Sequence, residues 1–188
     1  MVRAFTDEAV DPAVLERLCD QARRAPSAGN AQAVSFLVLT TAEARGRYWD
    51  VTLPPPRRDG FRWPGLVAAP VLVVVVVDPE RYVTRYAEQD KAATGLGEGT
   101  HAWPVPYWWV DAGAAVQQLL LGIVDAGLGA CFFGVFDHEP AVRESFGIPA
   151  GHRLVGTLAV GHPAPDGPGR SVSRPRRPLG EVLHREQW

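Results

Sequence analysis

Residues 21–36 read QARRAPSAGNAQAVSF, and this stretch decides the fold. A helical run stops at Pro26. Ser27, Ala28, Gly29 and Asn30 follow, and none of them can fill a core. An apolar run then begins. Residue types alone divide evenly between a plain turn and a ligand-facing backbone. In the second reading, small residues let a planar or phosphorylated ligand approach the main chain. Ser27 and Asn30 supply hydrogen bonds, with Arg23 or Arg24 nearby.

Working outward, Asp11 and Pro12 read as an N-cap and first-turn proline. Val14, Leu15, Leu18, Cys19 and Ala22 then recur at helical spacing. Residues 35–40 read as a strand and 42–50 as a short helix. Residues 53–64, rich in Pro and Arg, read as an irregular surface excursion. VLVVVVV at 71–77 has no polar alternation, so both of its faces are expected to be buried. Residues 79–106 lack clean periodicity and contain GLGEG, which suggests a lid. Residues 107–126 form the strongest helix, apolar nearly all round and rich in Ala and Gly. A strand at 130–136, a helix at 139–146 and a strand at 154–161 follow. From Pro163 an arm runs to residue 188 with a basic cluster at Arg174, Arg176 and Arg177. The pattern predicts a single domain over 1–188, mixed α/β or α+β around one sheet, and a helix too apolar for a monomer surface predicts a homodimer.

The chain has 188 residues and is 46% hydrophobic, enough for one real core. Lys and Arg number 19 against 21 Asp and Glu, so no basic excess points to nucleic acid. No apolar run is long enough to span a bilayer. Cys19 and Cys131 cannot build a disulfide framework, so a reducing, cytoplasmic setting is expected. The five histidines show no metal-ligand spacing, and no metal is expected. GLGEG lacks the Lys-Ser/Thr of a phosphate loop. No nucleophile motif is present. An enzyme built on this sequence would therefore take its reactivity from an organic cofactor, with no catalytic side chain.

At this point the pieces resemble a known family. ARRAPSAGNAQ (22–32) resembles the "PS-x-x-N-x-Q" signature of the FMN-dependent nitroreductases. VRAFTDEAVDPAVLERL (2–18) looks like that family's entry. DAGAAVQQLLLGIVDAGLGACFFGVF (111–136) looks like its dimer helix and following strand. FGIPAGHRLVGTLAVGHP (146–163) and RPRRPLGEVLHREQW (174–188) are similar to its last core strand and C-terminal arm.

The resemblance implies a central, mostly antiparallel sheet flanked by helices, in an intertwined homodimer with a long buried dimer helix and active sites at the interface. It implies an oxidoreductase that takes hydride from NAD(P)H on FMN and passes it to a nitroaromatic, quinone or related acceptor in ping-pong fashion. It implies that Arg3, Pro26, Ser27, Ala28 and Asn30 line the flavin, that Phe132, Phe133 and Gly134 run past its N5 edge, and that Arg174 and Arg176 hold its phosphate. Tyr86, Lys91, His101 and Trp103 are the candidate substrate-lining residues. Two departures stand out. The family's further Arg and Ser before the position of Arg3 are missing, which implies an upstream start or weakened FMN binding. The family's "QPW" reads Gln32, Ala33, Val34. Flavin fragmentation, dehalogenation, azoline oxidation and non-catalytic ligand binding are the alternative readings.

Overall fold

The computed structural model describes residues 1–167, 169 and 172–188. The first helix, α1 (Pro12–Ala22), starts where Asp11 accepts a hydrogen bond from the Ala13 amide at 2.8 Å. It buries Leu15, Leu18 and Ala22, one stripe at helical spacing. After the Pro26–Gln32 loop come β1 (Val34–Leu39) and α2 (Ala42–Thr52). The strand β2 (Val71–Val77) is buried along its whole length. It pairs antiparallel with β1 on one side and with β4 (Arg153–Gly161) on the other, and β3 (Gly129–Phe133) closes the order β1-β2-β4-β3.

The unbroken valine run follows from this placement. Val71, Val73 and Val75 face a core with Leu15 and Leu18 of α1 and Val116, Leu119 and Ile123 of the long helix at Tyr107–Asp125. Leu72, Val74 and Val76 face a second core with Tyr48 and Trp49 of α2. The sheet is therefore sandwiched between helical layers, and a central strand has no solvent face on which to show polar alternation.

The region at 53–64 departs from the expected surface excursion. It contains α3 (Pro55–Arg58) and leads into α4 (Pro64–Val67), which buries Leu66. Leu53, Phe61 and Trp63 pack against the second core. Pro and Arg face outward here, so composition concealed an apolar inner side. Residues 79–106 hold α5 (Glu80–Tyr86), too short for its period to register, and three 3₁₀ turns. Gly97 of GLGEG lies flush on the end of α5, where an added Cβ would sit 2.6 Å from the Ala87 nitrogen. The excursion is docked by backbone-to-backbone packing.

The long helix, α6 (Tyr107–Asp125), buries Trp108, Asp111, Ala112, Ala115, Val116, Leu119 and Ile123. Its other side leaves Val110, Leu121 and Val124 53–69% exposed. The all-round apolar pattern thus splits into a face packed within this chain and a face left open. After β3 comes α7 (Glu139–Phe146), ended by Gly147 in the left-handed conformation. Residues 172–188 are exposed throughout. No helix among the described residues is long and apolar enough to cross a membrane.

Candidate functional site

A cavity of about 450 Å³ opens where the chain's start, α2, the 53–66 segment and the end of β3 meet. Its walls are aromatic. Trp49 and Phe133 stack with ring centroids 5.8 Å apart and 16° between planes. Phe61 meets Trp63 edge-on at 6.1 Å. The Arg3 guanidinium lies 5.5 Å from the Trp63 ring centroid, while its backbone amide donates to Asp166 Oδ2 at 3.1 Å. Among the described residues Arg3 is the only Lys or Arg in this lining, and Phe132, Phe133 and Gly134 contribute to it from the end of β3. Four of the sequence-predicted residues, separated by about 130 positions, are thus brought together.

The wall is shaped by close approaches. A Cβ at Gly156 of β4 would meet two Phe132 ring carbons at 2.6 and 2.7 Å. A Cβ at Gly134 would sit 2.5 Å from the Phe136 ring. Phe136 itself has φ +48° and is 84% exposed, a conformation that side-chain-bearing residues adopt at a cost. Phe136→Gly is expected to raise stability by about 1 kcal/mol through relief of that strain, partly offset by glycine's greater unfolded entropy. Urea denaturation monitored by far-UV circular dichroism checks it.

Two titratable groups at the cavity, Tyr48 and Cys131, stay neutral. Burial pushes the Tyr48 phenol up to about 12, and its hydroxyl donates to Thr157 at 2.8 Å. Burial also raises the Cys131 thiol, with the Arg3 charge pulling the other way. Neither side chain is a nucleophile at neutral pH.

The remaining predicted residues lie elsewhere in the chain. Pro26 and Ser27 line a small cleft of about 90 Å³ with Gln32 and Asp111. Ser27 Oγ accepts from the Gln32 amide at 3.2 Å. Ala28 faces a different cavity of about 410 Å³, with Tyr86, Trp103 and Tyr107. Asn30 is exposed with φ +58°. Gly29, φ +60°, has no room for a side chain because a Cβ would sit 2.8 Å from the Tyr86 ring. At that position the small residue makes room for the tyrosine.

Tyr86 and Trp103 meet edge-to-face at 4.7 Å, and Trp103 Nε1 donates to Leu96 O at 3.0 Å. Lys91 Nζ lies 5.8 Å from the Tyr86 ring centroid, and His101 is exposed. Arg174 and Arg176 are exposed on the arm and line none of these cavities.

Three residues escape the sequence reading. Trp63 was hidden in a Pro- and Arg-rich stretch. Asp111 carried a readable signal, as the lone acid in the first half of an apolar helix. Arg85, which holds the Gly29 carbonyl at 2.8 Å, carried none, because only folding brings α5 to the loop.

The comparisons with known proteins agree with this architecture. Residues 1–162 match the Nitroreductase family. The chain is 29% identical to a 4-nitrobenzoate reductase of a Nocardioides species, over 95% of this chain and 83% of that protein. It is 25% identical to an FMN reductase (NADPH) of Bacillus subtilis, over 100% of this chain and 70% of that one. The solved structure of the hypothetical oxidoreductase YcnD of Bacillus subtilis superposes with a TM-score of 0.75 at 25% identity. That match covers 100% of this chain and 70% of the other.

Proposed function

The chain belongs to the nitroreductase family, and from that premise we propose that it is an FMN-dependent oxidoreductase that takes electrons from NAD(P)H and delivers them to an electron-poor small molecule such as a nitroaromatic or quinone. The observation that carries the reading is the aromatic cavity that Arg3 and Phe132–Gly134 line together. Its size suits a cofactor site. Flat aromatic walls suit a fused ring, and Arg3 offers a cation that no carboxylate pairs with among the described residues. The donor set fits FMN.

When bound, FMN supplies the two-electron chemistry that no side chain here offers. The chain's part is electrostatic and steric. Arg3 places positive charge beside the cavity and favours an electron-rich, anionic ligand there. Trp49, Phe61, Trp63 and Phe133 exclude water and orient a planar group between them. The Phe132–Gly134 main chain sets one edge. Arg174 and Arg176 of the exposed arm are the residues that would hold the FMN phosphate in this reading.

The functional unit is a homodimer. Val110, Leu121 and Val124 leave an apolar stripe open on α6, and Leu179, Val182, Leu183 and Trp188 of the arm are exposed as well. A second copy would cover these, and its Pro26, Ser27, Ala28 and Asn30 would complete the site from the interface side. Tyr86 and Trp103 share a cavity with Ala28 of that loop's sequence, and with Lys91 and His101 they are the acceptor-lining candidates. A cytoplasmic setting suits the two free cysteines.

Two experiments test this reading. The first is a visible absorption spectrum of the protein after FMN addition and gel filtration, followed by NADH and NADPH oxidation assays with menadione and nitrofurazone. A colourless, inactive protein would sink the reading. The second is Leu121→Glu, which places a charge in the apolar stripe and is expected to weaken dimerisation roughly 100-fold. Light scattering should then show monomers, and flavin retention should fall with the dimer.

A further inference from the structure

The Pro26–Gln32 loop is held in a strained shape by charged side chains from distant elements. Gly29, Asn30 and Gln32 all have positive φ, at 60°, 58° and 50°. Two of these three residues carry side chains, so the conformation persists only if the surroundings enforce it. The enforcing groups are Asp111 and Arg85. Asp111 is 8% exposed, and its Oδ2 accepts from the Ala28 amide at 2.7 Å and from the Tyr82 hydroxyl at 2.8 Å. Arg85 Nε donates to the next carbonyl, Gly29 O, at 2.8 Å. That guanidinium is fixed in turn by Asp90, at 2.7 and 2.8 Å. Main-chain groups of two adjacent loop residues are therefore gripped, the Ala28 amide by a carboxylate on α6 and the Gly29 carbonyl by a cation on α5.

Tyr82 is fully buried, and burial, then its bond to Asp111, push its phenol far above the ordinary range. It remains a donor at any working pH. Asp111 thus accepts two fixed donors on one oxygen, a charge-assisted arrangement stronger than neutral pairing. The helix around Asp111 is otherwise apolar here, with Trp108, Ala112 and Ala115 buried beside it. A buried acid in that company costs desolvation unless it is given such partners.

We infer that Asp111 is a positioning residue for the cofactor-holding loop, setting the backbone of residues 28–32 so that Ser27 and Asn30 are presented to the flavin. The inference rests on the FMN reading above. Asp111 touches no reacting atom in this role. It acts through the Ala28 amide, and Tyr82 and Arg85 share the task.

The test compares three variants with the wild-type dimer by apo-protein titration with FMN, thermal melting, and hydrogen exchange of the peptide spanning 26–32. Asp111→Asn keeps the side-chain shape but cannot accept from both donors with full charge. It is expected to raise the FMN Kd about 10- to 100-fold, in keeping with loss of a charged hydrogen bond, and to lower exchange protection of the loop. Tyr82→Phe removes one donor only and should give a smaller change of the same sign. It also serves if Asp111→Asn does not fold. Val142→Ala hollows the core on the other side of the sheet, far from this loop in the packing. It should lower the melting temperature with FMN Kd and loop exchange unchanged.

Wild-type FMN affinity and wild-type exchange in Asp111→Asn would overturn the inference. So would an equal loss of FMN affinity in Val142→Ala, which would make the effect one of global stability. A wild-type protein that binds no FMN would instead overturn the functional reading, while the exchange comparison would still decide whether Asp111 sets the loop.

Discussion

Arg3→Glu is expected to abolish retention of FMN through gel filtration, with the FMN Kd rising by a factor on the order of 100 or more while the fold survives. Arg3 is the only Lys or Arg in the aromatic cavity's lining among the described residues. Reversing its charge therefore removes the guanidinium of the lining and adds repulsion toward an anionic cofactor. Losing one partner of a partly desolvated charge pair costs about 2–5 kcal/mol, and reversal belongs at the upper end. The contact with Trp63, at 5.5 Å, is lost as well, worth about 0.5–1 kcal/mol at a partly exposed site.

Folding should be nearly indifferent. The Arg3 amide keeps its bond to Asp166, and the antiparallel bridge between Phe5 and Pro163 keeps the chain's start in place. Arg3→Gln, neutral and of similar length, should give a smaller loss. Equilibrium titration of the apo-protein, followed by quenching of flavin fluorescence, separates the three proteins. Wild-type affinity in Arg3→Glu would place the cofactor elsewhere.

The second large effect is expected at Gly156→Ala, a substitution that adds one methyl group. Gly156 pairs with Val75 across β2 and β4, next to a register shift between Val75 and Val76. The Phe132 ring lies directly on it, with two ring carbons 2.6 and 2.7 Å from where the Cβ would be, and the Phe133 carbonyl oxygen 2.7 Å away. A ring can swing, but a carbonyl in the end of β3 moves only with its strand. The methyl therefore forces β3 away from β4 at the place where the cavity's main-chain wall begins.

Overpacking of this kind costs about 1–3 kcal/mol, and the backbone contact puts it near the top of that range. For a chain of this length the melting temperature should fall by roughly 5–12 °C. Flavin retention should fall with it, because Phe133 and Gly134 shift together. In a Phe132→Ala background, where the ring is already cleared, Gly156→Ala should cost less than in the wild type and retain only the carbonyl clash. The double-mutant comparison thus apportions the strain between the two. A melting point within 2 °C of wild type in Gly156→Ala would mean that the β3–β4 seam is more yielding than its contacts imply.

Some of this was written in the sequence and some was not, and the division is physical. Periodicity reports how a continuous segment meets solvent. The run at 71–77 therefore announced a strand buried on both faces, and the pattern of α6 announced a long helix with more apolar surface than one chain can cover. The Asp11–Pro12 pair marked a helix start, because capping is a local hydrogen bond made by neighbouring residues. Motif order was enough for the family.

Composition misled at 53–66, where prolines and arginines face out and Leu53, Phe61, Trp63 and Leu66 face in. The seven-residue α5 spans under two turns and left no period to read. What tertiary structure alone decided are the meetings of segments far apart in the chain. Arg3 joins Phe132–Gly134 in one cavity, Tyr86 claims the space beside Gly29, and Asp111 and Arg85 grip main-chain groups of adjacent residues in one loop. None of these leaves a local trace. A hydrogen bond across 83 positions depends on strand order and helix packing, and those are settled only when the whole core closes.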